Sequence, residues 1–168
     1  MKKKPILYRS LLVFFIAALT LLSGCTSSSH SEPSNYILNF YAHPDINDAA
    51  PLKVRVLLLK SDADFMSADF YSLQNNAQTV LGANLLNADE FFLMPGQLNR
   101  TSTGQPSTDA RYIGIMAEYQ VLDGKKWRIS LPLPTTNKDS FYKFWKWSSN
   151  ELKASIFLDI DGVRVANE

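Results

Sequence analysis

A single thiol, two imidazoles and one dense run of aromatic rings are the side chains whose type and placing suggest chemistry in this 168-residue chain. The thiol is Cys25, which follows Leu22-Ser23-Gly24 at the end of an apolar run from Leu11 to Leu22 that only Thr20 interrupts. A thiolate is the strongest nucleophile among ordinary side chains, so alkylation is the reaction this position suits. The imidazoles, His30 and His43, have no partner at metal-ligand spacing. The aromatic run is Phe141-Tyr142-Lys143-Phe144-Trp145-Lys146-Trp147, five rings and two ammonium groups in seven residues. Such a run can stack on sugars or bases, or sit at a membrane interface.

The segment ahead of Cys25 explains the thiol. Lys2, Lys3, Lys4 and Arg9 give a basic start, the apolar run follows, and small residues precede the cysteine. This order is that of a secretory signal peptide. The run is about 12 residues, short of the roughly 20 that cross a bilayer as a helix. Leu22-Ser23-Gly24-Cys25 resembles the bacterial lipobox, which implies a diacylglycerol thioether on Cys25, cleavage just before it, and an acyl chain on the new amino terminus. One chain holds a protein to a bilayer only marginally, whereas two or three anchor it stably. Thr26, where a retention signal would place Asp, implies sorting to the outer membrane, with the domain facing the periplasm.

Three segments follow: a lipoprotein signal peptide at 1–24, the lipidated cysteine and a tether at 25–34, and a domain at 35–168. The tether is Ser-rich, contains Pro33 and has no apolar period, as expected of a flexible linker. Removing the signal leaves about 144 residues, enough to bury a core without disulfides. It also leaves 13 basic residues against 16 acidic ones, a net charge near −3. That balance gives no electrostatic reason to expect a nucleic-acid partner.

The domain reads as strands. Tyr36, Leu38 and Phe40 alternate with Ile37, Asn39 and Tyr41, and Lys53 and Arg55 alternate with Val54, Val56 and Leu58 over residues 52–59. Between them, His43-Pro44-Asp45-Ile46-Asn47-Asp48-Ala49-Ala50 is a loop closed by Pro51. Apolar spacing changes to three and four over residues 63–75, which predicts one helix capped by Asp62 or Asp64. A strand resumes at 90–94 and stops at Pro95-Gly96. Residues 99–110 are polar and read as a loop. Residues 111–121 and 126–133 form a hairpin about Asp123-Gly124, and 152–160 and 163–165 another about Asp161-Gly162. Pro132 and Pro134 belong at a sheet edge. Six or seven strands with a small inserted helical element predict a mainly β, antiparallel β-sandwich.

The catalytic inventory is thin. No Gly-x-Ser-x-Gly, phosphate loop or dinucleotide fingerprint occurs, so no cofactor is expected. His43 with Asp45 and Asp48 reads as solvated loop polarity before it reads as a metal site. Asp159-Ile160-Asp161-Gly162 begins like a calcium loop but lacks the later acidic ligand, and reads as a turn. For the aromatic run, burial over one end of the sandwich competes with an exposed surface formed by Tyr142, Trp145 and Trp147.

The ordered stretches resemble those of the outer-membrane lipoproteins of bacterial type VI secretion systems, the TssJ (SciN) family. They are Pro51 to Val56 with Leu59-Lys60-Ser61, Phe65, Ala68 to Leu73, Leu81-Gly82, Leu85-Leu86, Asp89-Glu90-Phe91, Leu93, Pro95-Gly96, Arg111 to Ile115 and Trp127-Arg128. The resemblance implies a transthyretin-like sandwich and a non-enzymatic role, binding the periplasmic domain of TssM alongside other subunits of the secretion complex. It implies a partner-binding loop at His43, Pro44, Asp45, Ile46, Asn47, Asp48, Ala49 and Ala50. Physically, Ile46 among Asp45, Asn47 and Asp48 reads as one apolar anchor inside a polar rim. Hydroxyisourate hydrolases share that sandwich, but they carry several active-site histidines and a C-terminal Tyr-Arg-Gly-Ser, where this sequence has Val165-Ala166-Asn167-Glu168. The other alternative is a lipoprotein that takes a glycan or small ligand on the aromatic run.

Overall fold

Eight strands and two short helices occupy the described part of the chain, residues 35–134 and 151–166 of the computed structural model. In chain order they are β1 (Asn35–Ala42), β2 (Leu52–Leu59), α1 (Ala63–Ser67), α2 (Phe70–Leu81), β3 (Leu85–Leu93), β4 (Arg100–Gly104), β5 (Tyr112–Glu118), β6 (Arg128–Pro132), β7 (Glu151–Asp159) and β8 (Gly162–Ala166). They form two four-stranded sheets, ordered β4-β1-β7-β8 and β3-β2-β5-β6. The expected mainly β sandwich with a helical insertion is what the chain adopts.

Alternation sets the core between the sheets. Tyr36, Leu38, Phe40 and Ala42 of β1 point inward, as do Leu52, Val54, Val56 and Leu58 of β2. Ile113, Ile115 and Ala117 of β5, and Ala154, Ile156 and Leu158 of β7, meet them. Sheet β3-β2-β5-β6 is dry on its second face as well. There Leu57, Leu59 and Met116 pack with Phe65, Phe70, Leu73 and Leu81 from the helices. Gly114 makes this approach possible, because a Cβ there would lie 2.9 Å from Phe65 Cε1 and 3.1 Å from Leu59 Cδ1.

Polar side chains fasten the helices to the same face. Arg128 donates to the carbonyls of Phe65 and Ala68, at the C-terminal end of α1 where a positive charge is favourable. Its guanidinium lies 4.3 Å from the centroid of the Trp127 ring, which meets Phe70 edge-on. Arg55 pairs with Glu118 at 2.7 Å and donates to the Leu73 carbonyl, while Gln74 donates to the other oxygen of Glu118. Several stretches that carry the family resemblance are therefore helix-to-sheet fasteners.

The structure departs from the sequence reading in five places. The single helix expected over 63–75 is two, because Asp69 takes an extended conformation and its side chain accepts from the Ser72 amide at 2.9 Å, starting a new helix. Residues 99–110 are not wholly loop: Arg100–Gly104 is an edge strand, held by backbone pairing to β1 rather than by buried side chains. The sandwich is not wholly antiparallel, since β1 pairs in parallel with β7 over the full length of β1. In the last hairpin Asp159 pairs with Gly162, so Ile160 and Asp161 make the turn. Around Asp123-Gly124 the connection is a longer loop, with strands ending at Glu118 and resuming at Arg128.

Phe65 is fully buried between α1 and the sheet. Phe65→Ala is expected to lower unfolding free energy by about 3–5 kcal/mol. Gly114→Val, by overpacking the same contact, should cost about 1–3 kcal/mol. Urea denaturation followed by circular dichroism checks both, and a wild-type midpoint for either variant would contradict this packing.

Candidate loop surface at one end of the sandwich

Strand directions gather four connections at one end. These are the β1–β2 crossover (residues 43–51), the β3–β4 turn (94–99), the β5–β6 loop (119–127) and the β7–β8 turn (160–161). Asn35, where the chain enters β1, lies at the opposite end. Eight residues at roughly 3.3 Å each separate the two by about 25 Å.

The crossover is conformationally costly. Asn47, Asp48 and Ala49 have φ of 51°, 55° and 60°, three successive residues in the left-handed region without a glycine. Asn and Asp tolerate that region, whereas Ala pays its full steric cost. Burial and hydrogen bonding hold the turn. Asn47 Nδ2 donates to the Pro51 carbonyl at 3.1 Å, and Asn47 Oδ1 accepts from the Gln120 amide at 2.8 Å. Ile46 is completely buried in the inter-sheet core. The expected apolar anchor in a polar rim is thus not at Ile46: its side chain serves the fold and offers no partner a surface. Pro44, Asp45, Asp48 and Ala49 are exposed, and His43 and Ala50 are half-buried. His43 Nδ1 accepts from the Asp45 amide at 3.1 Å, a local turn contact.

The neighbouring loops are tied to this crossover. Gly96 N–H donates to the His43 carbonyl, Ala42 N–H to the Gln97 carbonyl, and His43 N–H to the Leu158 carbonyl. On the other side the Tyr119 hydroxyl donates to the Asp159 carbonyl at 3.1 Å, and Lys125 Nζ donates to the Ile160 carbonyl. Burial first, and the nearby Asp159 charge second, push the Tyr119 phenol well above its ordinary value, so it remains a donor. Lys126 joins the sheets: its amide donates to Asp161 O and its carbonyl accepts from Val163 N–H. Gly162 (φ +122°) permits this approach, because a Cβ there would lie 2.4 Å from Lys126 O.

Sequence reasoning missed what these loops display. Met94, Leu98, Val121 and Ile160 are exposed, Leu98 to 81%. Leu98 stands among polar neighbours, while Met94, Val121 and Ile160 read as the last residues of expected strands, and only the topology brings the four to one end. Among the described residues no three His, Cys, Asp or Glu side chains gather as a metal site. Cys25, Thr26 and the aromatic residues Tyr142, Trp145 and Trp147 lie outside the described residues.

Comparison with known proteins bears on what this end is for. No curated protein sequence matches the chain. Among solved structures, it is similar to Serratia marcescens Lip, described as a membrane-bound component of the type VI secretion system, at 54% identity and a TM-score of 0.70, over 81% of this chain and 98% of that one. It is also similar to the type VI lipoprotein TssJ1 of Pseudomonas aeruginosa, at 29% identity and a TM-score of 0.69, over 81% and 97%. A chain of a type VI membrane complex shares the fold, at 19% identity and a TM-score of 0.64, over 81% and 100%. The family model described as type VI secretion lipoprotein, VasD, EvfM, TssJ, matches residues 34–158. The chain belongs to the type VI secretion lipoprotein family, TssJ/SciN.

Proposed function

We propose that this chain is an outer-membrane lipoprotein of a type VI secretion membrane complex, anchored through Cys25 and gripping the periplasmic part of TssM with the loop end of its sandwich. Family membership supports the complex. The observation that carries the grip is the crossover, where Asn47, Asp48 and Ala49 hold a costly left-handed turn at the end far from Asn35. Backbone strain of this kind persists only where the surrounding structure over-determines it, and it concentrates at functional surfaces. Residues 25–34 would let the domain stand up to about 30 Å from the lipid when extended. Residues 1–24 would be removed as the signal peptide, and Thr26 would direct sorting. The role is holding rather than catalysis: the domain supplies a surface, and the acyl chains supply about 0.8 kcal/mol per buried methylene.

Cys25→Ser is expected to move the protein out of the outer-membrane fraction and to abolish secretion. Recovery of the variant in outer membranes after density-gradient fractionation would refute the lipid anchor. Asp45→Lys combined with Asp48→Asn, both on the exposed rim and the second compatible with the left-handed φ of 55°, should weaken binding to the TssM periplasmic segment by calorimetry while leaving the melting curve unchanged. Ile46→Ala acts differently. Truncating this buried side chain should cost about 2–5 kcal/mol of stability, so any lost binding follows lost folding.

A further inference from the structure

We infer that Leu98 and Met94 on one side of the crossover, and Ile160 and Val121 on the other, are the apolar anchors of the partner surface, and that they take a segment of TssM carrying apolar side chains flanked by basic ones. This inference rests on the TssM-binding reading and deepens it. The sheet orders place β3 and β4 at one edge of the sandwich, while the β5–β6 loop and the β7–β8 turn belong to the other side. The crossover from β1 to β2 runs between them, so two apolar pairs flank it. Single exposed apolar residues are ordinary on any surface. Here four of the seven large apolar side chains most exposed among the described residues stand on turns at the same end.

The turns are built to hold a shape. Gly96 N–H to His43 O, His43 N–H to Leu158 O, Gln120 N–H to Asn47 Oδ1 and Lys125 Nζ to Ile160 O bind all four connections to one another. A partner therefore meets a surface ordered in advance, and little loop entropy is lost on docking. The crossover offers only small apolar contacts, Pro44, Ala49, Ala50 and Pro51, since Ile46 is buried, so the larger anchors come from its flanks.

Charge indicates the occupant. Asp45, Asp48, Asp123 and Asp161 are all exposed at this end, and the last three form no ion pair among the described residues. Two lysines on the β5–β6 loop, Lys125 over the Tyr119 ring and the exposed Lys126, offset half of these four carboxylates, so the end keeps a net negative charge. An apolar ring with an acidic rim selects a basic and apolar segment, by steering and by rejecting acidic competitors.

The test uses the full-length lipidated protein in detergent and the purified periplasmic segment of its own TssM, with affinity read by biolayer interferometry. Leu98→Ser and Ile160→Ser should each weaken binding about tenfold, the scale of an interface anchor, with unchanged melting curves because both side chains are exposed. Binding should also weaken steeply as salt is raised, and Asp48→Asn should flatten that dependence. Wild-type affinity in both serine variants overturns the anchors. If Asp45→Lys with Asp48→Asn still weakens binding in that case, the TssM reading survives without them. Salt-independent binding overturns the basic partner. No binding by the unaltered protein overturns both readings. Sedimentation that shows dimers lost on Leu98→Ser, with TssM affinity intact, would assign the surface to a second copy of this chain instead.

Discussion

Nine residues carry the chain from one sheet to the other between Ala42 and Leu52, and the rest of the sandwich depends on how they turn. The path contains no glycine, yet it passes through three left-handed residues. Two features offset that cost. Ile46 drops into the core and adds to the burial that holds the sheets together, and Asn47 spends its amide on Pro51 and Gln120. An amide buried to this degree is tolerable only when both ends are hydrogen-bonded. Here both are, and the second bond ties the crossover to the β5–β6 loop.

The two sheets carry different duties. Sheet β3-β2-β5-β6 is covered on both faces, so its middle strand β2 reads as an apolar run from Val56 to Leu59 after an alternating start. The change of pattern within one strand marks where the helices begin to cover it. Arg55 and Glu118 sit at that boundary, close enough to pair and tied to α2 through Leu73 and Gln74. Their value lies in register as much as energy, because a largely buried pair recovers little beyond its desolvation cost. Sheet β4-β1-β7-β8 carries a row of outward side chains, with Tyr41 stacked on Phe157 at 5.0 Å and Arg164 over Phe157.

Legibility followed the range of the interactions. Period-two alternation in β1 and β2 is local, and it identified both strands and their buried faces. Asp69 also carried a local signal, a capping residue three positions before Ser72, yet the apolar spacing on either side hid the break. β4 gave almost none: Arg100-Thr101-Ser102-Thr103-Gly104 is polar because an edge strand needs backbone pairing more than burial. The parallel pairing of β1 with β7 joins residues more than a hundred positions apart, and no local pattern encodes it. The loop surface was half legible. The crossover could be found from its prolines and from the family resemblance, but Ile46 looked exposed because its neighbours are polar. Leu98 and Ile160 looked incidental because the topology that unites them is long-range.

The parallel pair acquires a meaning when anchor and grip are set on the same strand. Asn35, which follows the tether, opens β1, and His43, which opens the crossover, closes it. If Cys25 carries the anchor and the crossover the partner, as proposed, a load between them would enter β1 at Asn35 and leave it at Ala42. That strand is interior to its sheet, paired to β4 on one side and to β7 on the other. Inter-strand hydrogen bonds lie across the strands, so tension along β1 loads many of them together in shear instead of opening them one at a time. Parallel pairing extends that row over all eight residues of β1, where β4 covers only Tyr36 to Phe40. An antiparallel hairpin pulled at its open end would unzip. Resistance to forced unfolding is governed by the unfolding barrier rather than by equilibrium stability, and a doubly paired, shear-loaded strand raises that barrier. On the proposed reading, the sandwich would place an eight-residue, doubly flanked backbone pairing on the line between anchor and partner.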